Sequence, residues 1–325
     1  MKQVKEEGMI LPGIQVRQIS LLYLFSIAVA VVVMMTFAGT SFAAEKQKSF
    51  GSAEEAVKAI VTAAKNNDDK ELIAIFGASA KELIFSGDAV ADRQRRENFL
   101  AKYDEQNKLV HEGNSTILII GKNDWPFPIP IAKKGATWFF DTQKGKEEIL
   151  NRRIGENELS TIQSCLAIVD AQREYATKDR DSDGLPEYAE KFRSDPGKKN
   201  GLYWETKEGE EPSPLGELFA KVRAEGYSKQ GTKDNPEPYH GYYFKILKAQ
   251  GKDAPGGAYS YVIKGNMIGG FAVVAWPAKY GNSGVMTFLV NHDGVVYQKD
   301  LGKNTDKFAK AITNYDPDKT WGKAK

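Results

Sequence analysis

The sequence predicts an α+β protein of two domains, each with helices packed on an antiparallel sheet. Three observations carry this. Apolar residues first recur at helical spacing behind capping side chains, from about residue 52. The spacing then changes to runs of β-branched and aromatic residues. Beyond residue 241, five such runs alternate with Gly, Asn and Asp turns, as an antiparallel sheet requires. A chain of 325 residues is long enough for two ordinary domains, read here as Lys46 to Ile154 and Gly155 to Lys325.

The N-terminal stretch is set apart from both. Leu21 to Ala38 is an almost uninterrupted apolar run behind Lys2, Lys5 and Arg17, and Ser41-Phe42-Ala43 offers small residues for a signal peptidase. Residues 1–43 are therefore expected to be a signal peptide cleaved after Ala43, with translation starting at Met1 or at Met9. A run of this length also suits an uncleaved membrane anchor, since a spanning helix needs about 20 apolar residues. Export places the protein in the periplasm or cell envelope, tethered to the inner membrane only if the segment is kept. No cysteine directly follows the apolar run, which argues against a lipoprotein.

Ser52 with Glu55 forms a capping box ahead of Ala56, Val57, Ile60, Val61 and Ala64, so a helix is expected from Ser52 to Asn66. Asp68 or Asp69 caps a short helix to Phe76, and a strongly charged helix follows from Asp88 to Tyr103. Ser115 to Ile120 and Ala136 to Phe140 read as strands. Between them, Trp125-Pro126-Phe127-Pro128-Ile129-Pro130 cannot be a central strand, because proline lacks the backbone donor. It is expected to project as a rigid arm, either packing on its own neighbouring domain or offering Trp125 and Phe127 to a partner.

Lys144 to Ile154 reads as a helix ending near Gly155, and a second helix from Glu156 turns Leu159, Ile162, Leu166, Val169 and Ala176 toward a core. Cys165 lies on this stripe as a buried small hydrophobe and, being single, cannot form an intrachain disulfide. A helix from Leu215 to Glu225 is followed by strands at Tyr242–Leu247, Tyr259–Ile263, Phe271–Trp276, Val285–Val290 and Val295–Gln298. Asn291-His292-Asp293-Gly294 makes the last two a hairpin, and a short helix at Asp306–Ile312 closes the chain.

Between the second helix and the sheet lies D-x-D-x-D-G-x5-E, residues 179–190. Ca2+ takes six to eight oxygen ligands from such a loop. Here they would be Asp179, Asp181, Asp183, the Leu185 carbonyl, Glu187 directly or through water, and Glu190. Pro186 removes a donor that paired calcium hands exchange, so a lone, structural Ca2+ site is expected. Arg173, Lys178 and Arg180 could instead compensate the charge of a solvated acidic turn.

Lys+Arg number 45 against 43 Asp+Glu, a balance that excludes a nucleic-acid footprint. Three isolated histidines, His111, His240 and His292, form no zinc spacing, and no nucleophile elbow, phosphate loop or dinucleotide fingerprint occurs. No catalytic or cofactor-binding residue is named.

Ser49–Val61 (SFGSAEEAVKAIV), Glu187–Trp204 (EYAEKFRSDPGKKNGLYW), Pro238–Leu247 (PYHGYYFKIL) and Gly269–Gly302 resemble a bacterial exported family known as a domain of unknown function, DUF2950. That resemblance implies export and two domains but no activity. The second half more faintly resembles type IV pilin-like heads in its order of helix (Leu159 to Thr177), acidic loop and hairpin. About a hundred residues separate the apolar run from that helix, and no G-F-x-x-x-E motif precedes the run, so pilus assembly is not implied. Together these features lead to the expectation of a non-enzymatic envelope module that binds an unknown envelope protein or ligand, touching membrane only through an uncleaved N-terminal segment. The rival is an envelope hydrolase with acidic residues in an interdomain cleft.

Overall fold

In the computed structural model, which describes residues 47–324 except 181 and 228–236, Ser52 opens the first helix, α1 (Ala53–Lys65). Its hydroxyl accepts from the Glu55 amide at 3.2 Å, while the Glu55 carboxylate reaches back to the Gly51 amide at 2.9 Å, one residue earlier than in the usual box. The signal segment with its cleavage site, and Asp181 of the acidic loop, lie outside the described residues. Among those described, no helix is long and apolar enough to cross a membrane.

Asp68 caps α2 (Asp69–Phe76), a single turn α3 (Lys81–Ile84) follows, and Asp88 caps α4 (Ala89–Glu105). The first sheet has β1 (Asn107–Glu112), β2 (Ser115–Ile120), β3 (Trp125–Pro126), β4 (Ile131–Lys134) and β5 (Thr137–Phe140), ordered β1-β2-β4-β5 with β3 also on β2. All pairs are antiparallel. β1 escaped the sequence reading because it is an almost wholly exposed edge strand with no apolar alternation to mark it. The proline-rich arm does not project. Ile129 is buried, and the Phe127 ring packs among Phe76, Phe99 and Phe140, so apolar burial holds the arm against its own domain.

A 34-residue helix, α5 (Thr142–Tyr175), corrects the expected break near Gly155. Gly155 faces open space in mid-helix, where glycine lowers propensity without forcing a turn. The buried stripe is also rotated from the one expected. Leu159 is 61% and Leu166 40% exposed, whereas Thr161, Cys165, Ile168, Val169, Gln172 and Tyr175 face inward. Gln172 can be buried because its side-chain amide pairs with both backbone groups of Ala189, at 2.7 and 2.8 Å.

After α6 (Gly216–Ala224), the second sheet joins β6 (Tyr242–Leu247), β9 (Ala272–Pro277), β10 (Met286–Asn291), β11 (Tyr297–Asp300) and β12 (Gly322–Lys323) in the order β12-β11-β10-β9-β6. β7 (Ala249–Gln250) and β8 (Tyr259–Ser260) form a separate pair, shorter than the strand expected at Tyr259–Ile263. The β10–β11 hairpin forms across the expected turn, with Leu289 opposite Tyr297. β9 is buried along its whole length and touches both α5 and the closing helix α7 (Thr305–Ala311).

Two hydrophobic cores result, so the chain is α+β with one core in each half. The first gathers Ile60, Leu72, Ile75, Leu118, Ile131 and Phe140; the second gathers Cys165, Val169, Tyr242, Phe271, Val273 and Phe288. Ile149 and Leu150 of α5 pack on the first core, while its later residues enter the second.

Candidate functional site

The acidic loop leaves the C-terminal end of α5 and folds around Asp179, whose carboxylate accepts from the Ser182 amide at 2.7 Å and the Gly184 amide at 2.9 Å. Gly184 takes φ +94°, the conformation for which that position needs glycine. Asp183 accepts from the Leu185 amide at 2.9 Å and from the Asn266 side chain. The later carboxylates turn elsewhere. Glu187 accepts from the Met267 amide at 2.7 Å, and Glu190 forms an ion pair with Lys248. Asp179, Asp183 and the Leu185 carbonyl thus share the first part of the loop, whereas Glu187 and Glu190 fasten its end to the second sheet's neighbourhood. Among the described residues, no three His, Cys, Asp or Glu side chains form a group able to hold a metal ion. Arg180 packs against Tyr175 and Trp204 and, like Lys178, pairs with Glu211, while Arg173 pairs with Asp170, so the basic residues expected to compensate the acidic turn face carboxylates outside it.

The two halves meet through a buried polar junction. Asp88 accepts from the Ala91 amide, from the Tyr227 hydroxyl at 2.8 Å and from the Gly241 amide at 2.9 Å. Asp92 accepts from the Ser86 amide at 2.8 Å and from Arg95 at 3.3 Å; burial pushes its carboxyl above the ordinary value. Arg95 continues to Asn157, which donates to the Ser283 carbonyl at 2.8 Å. Arg153, 4% exposed, is bonded among the described residues to neutral acceptors: the carbonyls of Glu82 and Leu83 and the Asn282 side chain. Burial lowers its guanidinium to about 10, with Arg95 pushing the same way and Asp92 opposing.

His240 closes this junction with φ +47° and its Nε2 3.2 Å from Glu225. Burial holds its imidazole below the ordinary value, against the pull of Glu225 and Asp88. The hydroxyls of Tyr227 and Tyr239 are raised, first by burial, so neither is poised as a nucleophile. His111 contacts Thr116 in the first sheet, and His292 sits in the β10–β11 turn against Phe271, so the three histidines stay apart. Burial pushes the Cys165 thiol up to about 12, which makes it an inert core group.

Beside the junction, the first half has a partly open cavity of about 330 Å3 between α1, α2, α4 and α5. Its floor is apolar, from Ile60, Leu72, Phe76, Phe99, Ile120 and Phe127. Its polar lining is mainly cationic: Arg95, Arg96, Lys102, Arg152 and Arg153, against the carboxylates of Asp92 and Glu156. Trp125 stands at this rim, with the Arg152 guanidinium 4.8 Å and the Lys102 ammonium 5.2 Å from its ring centroid. Arg96 pairs with Asp69 at 2.8 Å and Arg152 with Glu148 at 2.6 Å. Buried Nη1 of Arg152 and Nε of Arg153 find no hydrogen-bond partner among the described residues.

The sequence reading did not anticipate this cavity. Its signals were Arg93-Gln94-Arg95-Arg96 on α4 and Arg152-Arg153 on α5, basic clusters that a charged helix face explains equally well. Only the tertiary fold brings them around one apolar space. No curated protein and no solved structure matches the chain. A family model described as "Protein of unknown function (DUF2950)" matches residues 47–324, and the chain belongs to that family.

Proposed function

We propose that this protein is an exported cell-envelope binding module whose ligand site is the cavity in its N-terminal half. One observation carries the reading: a 330 Å3 space lined mostly by apolar side chains, with seven charged ones among them. Ligand sites are mostly of this kind, apolar concavities of about 300–1,000 Å3 with a small number of placed polar groups. Asp88 accepts from Tyr227 and Gly241 of the second half, and Asp92 accepts from the Ser86 amide and Arg95; both carboxylates are thus engaged, which favours binding over hydrolysis. Export rests on the apolar run Leu21–Ala38 and the small residues before Ala44.

Calcium at residues 179–190 is part of the same proposal, as a structural tie between α5 and the second sheet. Asp179, Asp183 and the Leu185 carbonyl suit a hard cation, with Asp181 between them in sequence. Glu190 would complete the set only by exchanging its partner Lys248 for the ion.

The test is calorimetric titration of the purified mature chain with decanol, an uncharged alkyl probe. One saturable site is expected, together with its loss in Ala64→Phe, where a ring replaces a buried methyl that lines the cavity. Absence of saturable binding by the wild-type chain, or equal binding by a folded Ala64→Phe chain, would sink the reading.

A further inference from the structure

The charge around this cavity says what kind of molecule it takes. Each cation on its wall has a different degree of compensation. Arg95 faces Asp92, Arg96 faces Asp69, and Arg152 faces Glu148. Arg153 is bonded among the described residues to carbonyl oxygens, and Lys102 has the Trp125 ring as its neighbour. Of the two lining carboxylates, Asp92 is already taken up by the Ser86 amide and Arg95, and Glu156 lies exposed on α5. A buried guanidinium without a carboxylate partner is costly and gains from an anion nearby. Guanidinium forks favour carboxylate and phosphate oxygens, which can accept two parallel N–H bonds. Nη1 of Arg152 and Nε of Arg153, closed off from solvent and without a hydrogen-bond partner among the described residues, belong to two guanidinium groups that line this wall and are not fully satisfied.

Apolar floor and cationic wall belong to one space, so one ligand must satisfy both. We infer that the cavity binds anionic amphiphiles, a single alkyl chain lying on Phe76, Phe99, Ile120 and Phe127 with a carboxylate or phosphate head at Lys102, Arg152 and Arg153. The inference rests on the binding reading above and adds the charge of the ligand. The cavity's volume, at the lower end of ligand pockets, suits a medium-length chain rather than a long one.

Four ten-carbon probes titrated into the full mature chain separate the possibilities: decanoate, decyl phosphate, decanol and decyltrimethylammonium. Both anions are expected to bind at least about tenfold more tightly than decanol, a difference of about 1.4 kcal/mol. The cation is expected to bind more weakly than decanol, and the anions' advantage should shrink as salt is raised. A preference for decanoate over decyl phosphate, or the reverse, identifies the head group within the same class. Lys102→Glu, on an exposed stem, should lower the affinity of both anions by several-fold more than that of decanol. Arg152→Glu should act in the same direction, and melting curves of both variants establish that they fold. Decanol binding as tightly as the anions, or Lys102→Glu leaving decanoate affinity unchanged, overturns the anionic assignment and leaves the cavity a neutral-ligand site. If none of the four probes binds, the binding reading fails and the charge assignment falls with it.

Discussion

Arg153 is the residue on which the two halves most visibly depend. Its guanidinium links α5 to the carbonyls of Glu82 and Leu83 and to Asn282 of the second half. Arg153→Ala leaves those neutral acceptors unpaired in a buried site and is expected to cost about 1–3 kcal/mol, the penalty of a buried unsatisfied polar group. A urea melt measures this directly, and a loss below about 1 kcal/mol would show that water replaces the guanidinium. His240 gives the junction a pH dependence. With its folded value held below the ordinary 6.5, the unfolded chain takes up the proton more readily, so stability is lost as pH falls through 6.5 toward the folded value. His240→Gln should flatten that slope as pH falls below 6.5 in denaturant midpoints, and an unchanged slope would assign the dependence to other groups. None of this was legible beforehand. His240 stood only as one of three isolated histidines, and nothing set Arg153 apart within its helix, because pairing across 129 residues of sequence leaves no local mark.

At the scale of the element, the long helix α5 separates two glycines that look alike in sequence. Gly145 lies against the proline-rich arm, where a Cβ would meet the Pro128 carbonyl oxygen and Ile129 Cγ1 at 2.7 Å each, a clash partly with backbone. Gly155 has nothing within 4 Å. Gly145→Ala is therefore expected to destabilise by about 1–3 kcal/mol through overpacking. Gly155→Ala should stabilise by about 0.5–1 kcal/mol through helix propensity. Thermal melts of the two variants moving in the same direction would contradict this account of the helix. Elements whose signal is local were legible: the Ser52 cap, a cap at Asp68 or Asp69, the helix beginning at Asp88, the β6 strand and the β10–β11 turn all fall where the sequence places them. Elements decided by tertiary packing were not. The rotation of the α5 stripe depends on Thr161 and Gln172 being buried, and Gln172 is buried only because Ala189 lies within reach of its amide. The acidic loop belongs to this scale as well. Lys248→Ala frees Glu190 and should raise the gain in melting temperature on adding millimolar-range calcium, the affinity range of extracellular modules. A melting temperature indifferent to both calcium and chelator, in wild type and variant, would remove the structural ion from the account.

For the whole molecule, the consequence of two cores joined by α5 is a cavity that neither sequence half announces. Its apolar floor comes from side chains on α1, α2 and α4, from β2 and from the proline-rich arm, and its cationic wall from α4 and α5. The same packing holds the arm against its domain: Phe127 closes the aromatic group that forms part of the floor. The central claim is that this space holds the alkyl part of a ligand, and its most direct test is intermolecular NOE spectroscopy on the labelled chain with decanol. NOEs from the alkyl chain to the rings of Phe76, Phe99 and Phe127 are predicted. NOEs confined to exposed apolar residues of the second half such as Ile263 and Ile268, or none at all at saturating probe, would contradict it.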